Sequence, residues 1–317
     1  MSNLFIIGNG FDIDHKLPTK YTNFHEYLVE NYPNAVDKDA TFNIEGSLMP
    51  DGSIQFDKDE VVAFLIDLIS RAEKNGEDWR DIETSLGRLD YDPYFDEMSY
   101  LYDNDDDDDS SEWRIANIYE DVSSNFYLVT LKIKELFAEW INTIDIDEVE
   151  PKEPFCELLD PYIDRFLTFN YTPVLGEVYG AMVVEHIHGT QRSDIIIGHG
   201  EGERDFQNGP TGTEWELSKI HDSLRKDTRK IIEQKQAFFN DLTSIEKIYS
   251  YGFSFSSVDL PYIEEICNKL DTTNIIWFLH DFSSEEVRDG YKKIIRQCGF
   301  KGEFEVFSVN EKEANLK

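Results

Sequence analysis

A chain of 317 residues with 40% hydrophobic and 14% aromatic content can bury a large core and is too apolar to be disordered. Its formal charge of -35, with Lys and Arg scattered, repels phosphate backbones and anionic lipids and argues against direct nucleic-acid or membrane binding. No apolar run nears the roughly 20 residues of a membrane span, and no cleavable leader precedes the first strand. Cys156, Cys267 and Cys298 lie outside any C-x-x-C spacing, which suits a reducing cytoplasm and makes no zinc site.

The first element is Leu4-Phe5-Ile6-Ile7, a short buried strand that ends abruptly in Gly8-Asn9-Gly10-Phe11-Asp12. Such a turn is either an ordinary tight turn or a nucleotide loop at a sheet edge, and Ile13 leaves the G-x-G-x-x-G fingerprint incomplete. Phe24, Tyr27 and Leu28 then share one face of a helix. Residues 33–52 are polar and irregular, after which Val61, Phe64, Leu65, Leu68, Ile69 and Ala72 repeat at helical spacing. A helix from about Asp78 carries Trp79, Ile82 and Leu86 inward. Between Arg88 and Arg114 lie eleven Asp or Glu and no basic residue, including Asp105 to Asp109, which predicts a solvated acidic loop near 90–112. One long helix follows over Trp113 to Ile141. Residues 36–155 therefore read as a helical insertion, set within a domain made of 1–35 and 156–317.

Strands return at Arg165–Phe169, Val183–Ile187, Asp194–Ile197, Lys247–Tyr251, Ile275–Leu279 and Glu303–Val309, alternating with helices. Thr213-x-x-Glu216 and Ser283-x-x-Glu286 read as capping boxes, and Pro261 opens a helix. The pattern predicts an α/β fold: a mostly parallel sheet, helices on both faces and a large helical insertion. Several strands stop in polar clusters: Gly8-Asn9-Gly10, Asn170-Tyr171-Thr172, His188-Gly189-Thr190, Gly198-His199-Gly200 and Gly252-Phe253-Ser254. Parallel strands bring these ends to one edge, so the clusters are expected to converge on one crevice.

Ile6-Ile7-Gly8-Asn9-Gly10-Phe11-Asp12, with His15, Leu17-Pro18-Thr19 and Tyr21 behind it, resembles the N-terminal signature of the AbiH bacteriophage abortive-infection family. Trp79-x-Asp81-Ile82-Glu83 and Tyr251-Gly252-Phe253-Ser254 are similar to its internal motifs. A more distant resemblance runs to sirtuin-like NAD-consuming domains, in the order Gly8-Asn9-Gly10, Asn170, His188-Gly189 and Gly252-Phe253-Ser254. It implies a Rossmann-like sheet, NAD as substrate or ligand, and a phage-defence effector that hydrolyses NAD or a related nucleotide. Thr172 stands where those domains carry Asp, and their four-cysteine zinc module is absent, which argues against protein deacetylation.

Cleaving the nicotinamide–ribose bond develops oxocarbenium-like charge on the sugar. It needs a grip on the pyrophosphate, a group that positions water or a ribose hydroxyl, and a base titrating near neutrality. The backbone N–H groups of Gly8, Asn9, Gly10 and Phe11 are the candidates for the first. Asn170 suits the second, and His188, with an ordinary pKa of about 6.5, the third. Asp12 either binds a hydroxyl or steadies a helix start. The resemblance gives the Gly252–Ser254 loop, and Ser254 in it, a ribose contact. His188 also reads as a core histidine, but its place between a strand and a glycine, in step with Asn170, favours the base. Glu83 either reaches the crevice or is exposed. His186, His188 and His199 are not expected to bind a metal. The expected partners are a nucleotide, a phage-derived trigger and a second copy of the chain. The competing reading is a non-catalytic nucleotide sensor or oligomerising scaffold.

Overall fold

The computed structural model describes residues 2–38, 40–44, 46–73, 79, 81–102, 110–207 and 209–309. They fall into two compact units, one drawn from 1–19, 141–196 and 227–317 and the other from 20–140 and 197–226. The split differs from the expected boundaries in three places. Residues 141–155, expected in the helical insertion, belong with the sheet unit. The helix Tyr21–Asn31 belongs with the helical unit because Phe24 sits among Trp79, Phe137 and Trp140, with ring centroids 5.8, 5.3 and 5.3 Å away. Residues 197–226 also join that unit rather than the sheet.

The first unit is built on six strands: β1 (Ser2–Ile7), β2 (Arg165–Thr168), β3 (Val184–His186), β4 (Ile245–Tyr251), β5 (Ile276–His280) and β6 (Glu303–Phe307). Every pairing is parallel and the sheet order is β3-β2-β1-β4-β5-β6. This is the doubly wound Rossmann-like order, whose direction reverses between β1 and β4. Burial on both faces explains why β1 reads as an unbroken apolar run. On one face Phe166, Phe5, Tyr249 and Phe278 stand level on four neighbouring strands and stack in sequence. Their centroids are 5.1, 4.9 and 4.6 Å apart, with rings within 13° of parallel. On the other face Leu4, Ile6, Leu167, Ile187, Ile248, Trp277 and Leu279 join Tyr262, Ile263 and Ile266 of the helix Leu260–Lys269 in one core. The Trp277 indole N–H donates to the Ser250 hydroxyl at 2.6 Å, so the buried ring keeps a polar partner.

Four expectations are corrected. Residues 194–197 are not a strand of the sheet: they pair with none of its strands, and Ile196 N–H donates to His188 O at 2.9 Å. A four-residue apolar run has no periodicity to separate a strand from a buried connection. The expected acidic loop is helical over Asp92–Tyr102, because Tyr94, Phe95 and Met98 are buried; Asp105 to Asp109 lie outside the described residues. The long helix is two, Ser110–Thr130 and Lys132–Ile141. Neither capping box forms as read. The Thr213 hydroxyl donates to Pro210 O at 2.8 Å, and Ser284, not Ser283, caps Glu285–Gln297.

The second unit packs helices around Phe126, which meets Phe64, Tyr91, Tyr94 and Phe95 at centroid distances of 5.2 to 5.6 Å. It also holds the hairpin Gly46–Leu48 with Ile54–Phe56. Among the described residues no helix is long and apolar enough to cross a membrane.

One glycine is an irreplaceable joint and another is not. Gly252 has φ +66, and a Cβ there would lie 2.2 Å from Phe11 N, whereas a Cβ on Gly290, within the helix Glu285–Gln297, would meet nothing within 4 Å. Urea unfolding is expected to show Gly252→Ala destabilising the protein by about 2 kcal/mol or more and Gly290→Ala stabilising it by roughly 0.5–1 kcal/mol. Similar midpoints for the two variants would refute this account of the joint.

Candidate functional site

Register carries the strand ends to one level. Ile7 pairs with Thr168 and Tyr251, and Thr168 with His186, so the residues that follow these four lie along one edge of the sheet. At the point where the sheet reverses direction, that edge is closed by backbone packed on backbone. Gly8 N–H donates to Tyr251 O at 3.0 Å and Gly10 N–H to Gly252 O at 2.9 Å, while Phe11 N–H turns back to Gly8 O at 2.9 Å. A Cβ on Gly8 would stand 2.5 Å from Gly252 O, and one on Gly10 2.7 Å from Gly252 Cα. The glycines thus let two loops touch, and three N–H groups expected to meet a pyrophosphate are engaged within the protein. Phe11 is a core residue, its ring against His15, Tyr251 and Phe155. Asn9 is exposed, with its Nδ2 donating to Thr19 O at 2.7 Å, and Ser254, two residues past Gly252, is exposed too.

The helix Asn9–Asp14 carries Asp12 inward to the end of β2. Its carboxyl accepts from Asn170 Nδ2 at 2.8 Å and from the Thr172 hydroxyl at 2.7 Å, and all three side chains are buried. Burial, only partly opposed by these two neutral hydrogen bonds, pushes the Asp12 pKa up to about 7. A carboxylate only accepts, which turns the Asn170 amide nitrogen toward it and leaves Asn170 Oδ1 buried without a hydrogen-bond partner among the described residues. Thr168 Oγ1 holds Asn170 N–H at 3.1 Å, and the imidazole of His186 donates from Nδ1 to Asn170 O at 3.0 Å.

His188 forms a separate set. Its ring lies edge-on to Phe169 and Tyr262 at 5.5 and 5.7 Å. Its Nε2 is 3.4 Å from the Tyr262 hydroxyl and 3.8 Å from Asp259 Oδ1. Asp259 precedes the helix Leu260–Lys269 at the capping position, yet its side chain makes no capping hydrogen bond. His199, expected on the same edge, belongs to the helical unit. It donates from Nε2 to His221 O at 2.9 Å and accepts Glu201 N–H on Nδ1 at 3.2 Å; burial pulls its pKa down to about 4. Among the described residues no group of three or more His, Cys, Asp or Glu is placed to hold a metal. Glu83 is not exposed: it pairs with Lys226 at 2.6 Å inside the helical unit, where Asp81 caps the helix Ile82–Leu86.

Sequence reasoning missed a further cluster beside Asp12. The Asp14 carboxylate accepts from Lys152 Nζ at 2.6 Å and from the Tyr251 hydroxyl. His15, donating to Phe11 O at 2.7 Å, accepts on Nε2 from the Tyr179 hydroxyl at 2.5 Å, and Tyr179 in turn accepts Lys152 N–H at 2.9 Å. His15 was quoted with the signature and Asp14 lies two residues beyond Asp12, which was the available signal; nothing in the sequence marks Lys152 or Tyr179.

Fold and edge together define a doubly wound, Rossmann-like α/β protein with a buried polar cluster at the C-terminal ends of its central strands. The chain belongs to the AbiH family: the model of bacteriophage abortive infection AbiH matches residues 4–281, and membership carries a role in phage abortive infection. No curated protein and no solved structure matches it.

Folded Asp12 keeps its proton to about pH 7, whereas the unfolded carboxyl releases it near its ordinary 3.8. Between those values the folded state binds more protons, so stability falls as pH rises through the window and levels off above it. Relative to Asp12→Asn, wild-type protein is expected to lose on the order of 2–4 kcal/mol between about pH 4 and about pH 8 in denaturant titrations. Parallel curves for the two proteins would contradict the raised pKa.

Proposed function

We propose that this AbiH protein acts in phage defence by binding a dinucleotide of the NAD class at the C-terminal edge of its sheet and cleaving the nicotinamide–ribose bond with water. The observation that carries this reading is the buried Asp12 carboxyl, poised near neutrality and bonded to Asn170 beside the reversal point of the sheet. Water attack on an oxocarbenium-like ribose needs a base that titrates near the working pH, and Asp12 has that property. The water oxygen bonds to the anomeric carbon, neutral nicotinamide leaves, and the proton lost by water passes to the base. Asn170 Oδ1, an acceptor with no partner among the described residues, suits a ribose hydroxyl. His188 is the second candidate base, and Asn9 and Ser254, both exposed, form the rim a ligand first meets.

A second reading, a nucleotide sensor without turnover, is favoured by Thr172, which stands where sirtuin-like domains carry Asp and whose hydroxyl is spent on the Asp12 carboxyl.

Purified protein incubated with NAD, alone and with phage lysate, is expected to release nicotinamide and ADP-ribose in a chromatographic assay. The rate should rise with pH to a plateau above about 7, as a required carboxylate base predicts. Asp12→Asn and Asn170→Ala are each expected to lower it about 100-fold or more. Intact NAD under both conditions, with both variants keeping full defence in infected cells, would end the hydrolase reading. Calorimetric binding of NAD without nicotinamide release would select the sensor.

A further inference from the structure

We propose that Asp259 is a positioning residue for His188, its carboxylate facing the imidazole on the Nε2 side and stabilising the protonated ring. The inference rests on the reading of this edge as a nucleotide site with His188 as one of its bases.

Three observations carry it. Asp259 occupies the capping position of a ten-residue helix, where a carboxylate ordinarily bonds the first-turn N–H groups, yet it makes no such bond. Its Oδ1 is instead 3.8 Å from His188 Nε2, the side chain only 12% exposed and the imidazole 3% exposed. The ring is also fixed from other sides, by Phe169 edge-on beyond β2 and by Tyr262, whose hydroxyl is 3.4 Å from the same Nε2. A carboxylate facing Nε2 favours the tautomer with its hydrogen there and stabilises the imidazolium. The first turn of the helix Leu260–Lys269 opposes that charge, so the carboxylate offsets a field that would otherwise hold the ring neutral. Asp259 lies on the loop that leaves β4 through Gly252 and Ser254, so the segment that closes the reversal point also sets the histidine.

The test is heteronuclear NMR of the histidine side chains in the full-length protein without substrate, in wild type, Asp259→Asn and Asp259→Glu. Wild-type His188 is expected to be the Nε2–H tautomer when neutral and to bind a proton about tenfold more tightly than in Asp259→Asn, with Asp259→Glu restoring part of the difference. In wild type alone, the Asp259 carboxyl carbon should shift with the same midpoint as His188, a readout that holds even if a variant fails to fold. An unchanged His188 tautomer and midpoint in folded Asp259→Asn, or an Asp259 carbon indifferent to the His188 titration, would overturn the proposal. If the protein cleaves NAD, Asp259→Asn should lower kcat with little change in KM and move the acidic limb of the pH profile. Coupled NMR titrations in a protein that leaves NAD intact would remove the nucleotide reading and keep the pairing. Cleavage of NAD with uncoupled titrations would do the reverse.

Discussion

Everything at this edge depends on the approach of two backbones: the turn after β1 against the turn after β4. Side chains on Gly8, Gly10 or Gly252 would drive the loops apart, since each Cβ would fall 2.5, 2.7 or 2.2 Å from a backbone atom of the opposing loop. With the glycines in place, the two N–H···O contacts tie the turn after β1 to the end of β4 and the loop beyond it. The same constraint orients the helix Asn9–Asp14, which begins one residue after Gly8, and so decides where Asp12 and Asp14 point. A doubly wound sheet ordinarily opens at its reversal point to admit a ligand. Here that point is filled by the protein itself, and the polar groups that remain lie to either side of it.

The packing behind the edge explains why so small a contact suffices. The Phe166-Phe5-Tyr249-Phe278 ladder locks four strands in register, because slipping any one by a residue would turn its ring to the opposite face. Stacked aromatic pairs add about 0.5–1.5 kcal/mol each beyond the area they bury. On the opposite face the Trp277 indole bonded to Ser250 ties β5 to β4 through a polar contact that a purely apolar core lacks. Register held on both faces fixes the strand ends relative to one another, which is what lets Asn170 meet Asp12 across 158 residues of sequence.

The sheet was readable in the sequence because β1 and β5 appear as short apolar runs and most of the other strands as short segments that stop in polar clusters. Six of the seven strand segments read from the sequence belong to the sheet, with ends displaced by a residue or two. The exception, 194–197, has the composition of a strand but pairs with none of the sheet's strands, and composition carries no information about pairing. The signature glycines were legible as special positions, but their purpose was misread: a glycine that admits a phosphate and one that admits another backbone look alike in one sequence. Asn170 and Asp12 were each singled out, yet their bond follows from register alone. Asp259 was hidden by its good fit to an ordinary helix start before Pro261, and only the unused cap shows that its carboxylate is turned elsewhere. The Asp14 to Lys152 pair joins segments with no shared pattern, so no local reasoning could reach it.

Two carboxylates two residues apart on one short helix show how the fold separates their chemistry. Asp12 is buried and meets only neutral donors, Asn170 and Thr172, so burial dominates and its pKa rises to about 7. Asp14 is also raised by burial, but hydrogen bonds from Lys152 and Tyr251 and the charge of Lys152 outweigh it and hold the carboxyl below its usual range. One group can exchange a proton near neutral pH, while the other is a fixed anion in an ion pair. That division needs no special property of the helix itself. It follows from which strand end each residue faces: Asp12 toward β2, whose end supplies an amide and a hydroxyl, and Asp14 toward β4, whose end supplies a phenol next to a lysine. A change that slid β2 against β1 would therefore alter the titration of Asp12. The proton chemistry of the edge is set by sheet register, and the register is set by the aromatic ladder and by glycines packed against one another.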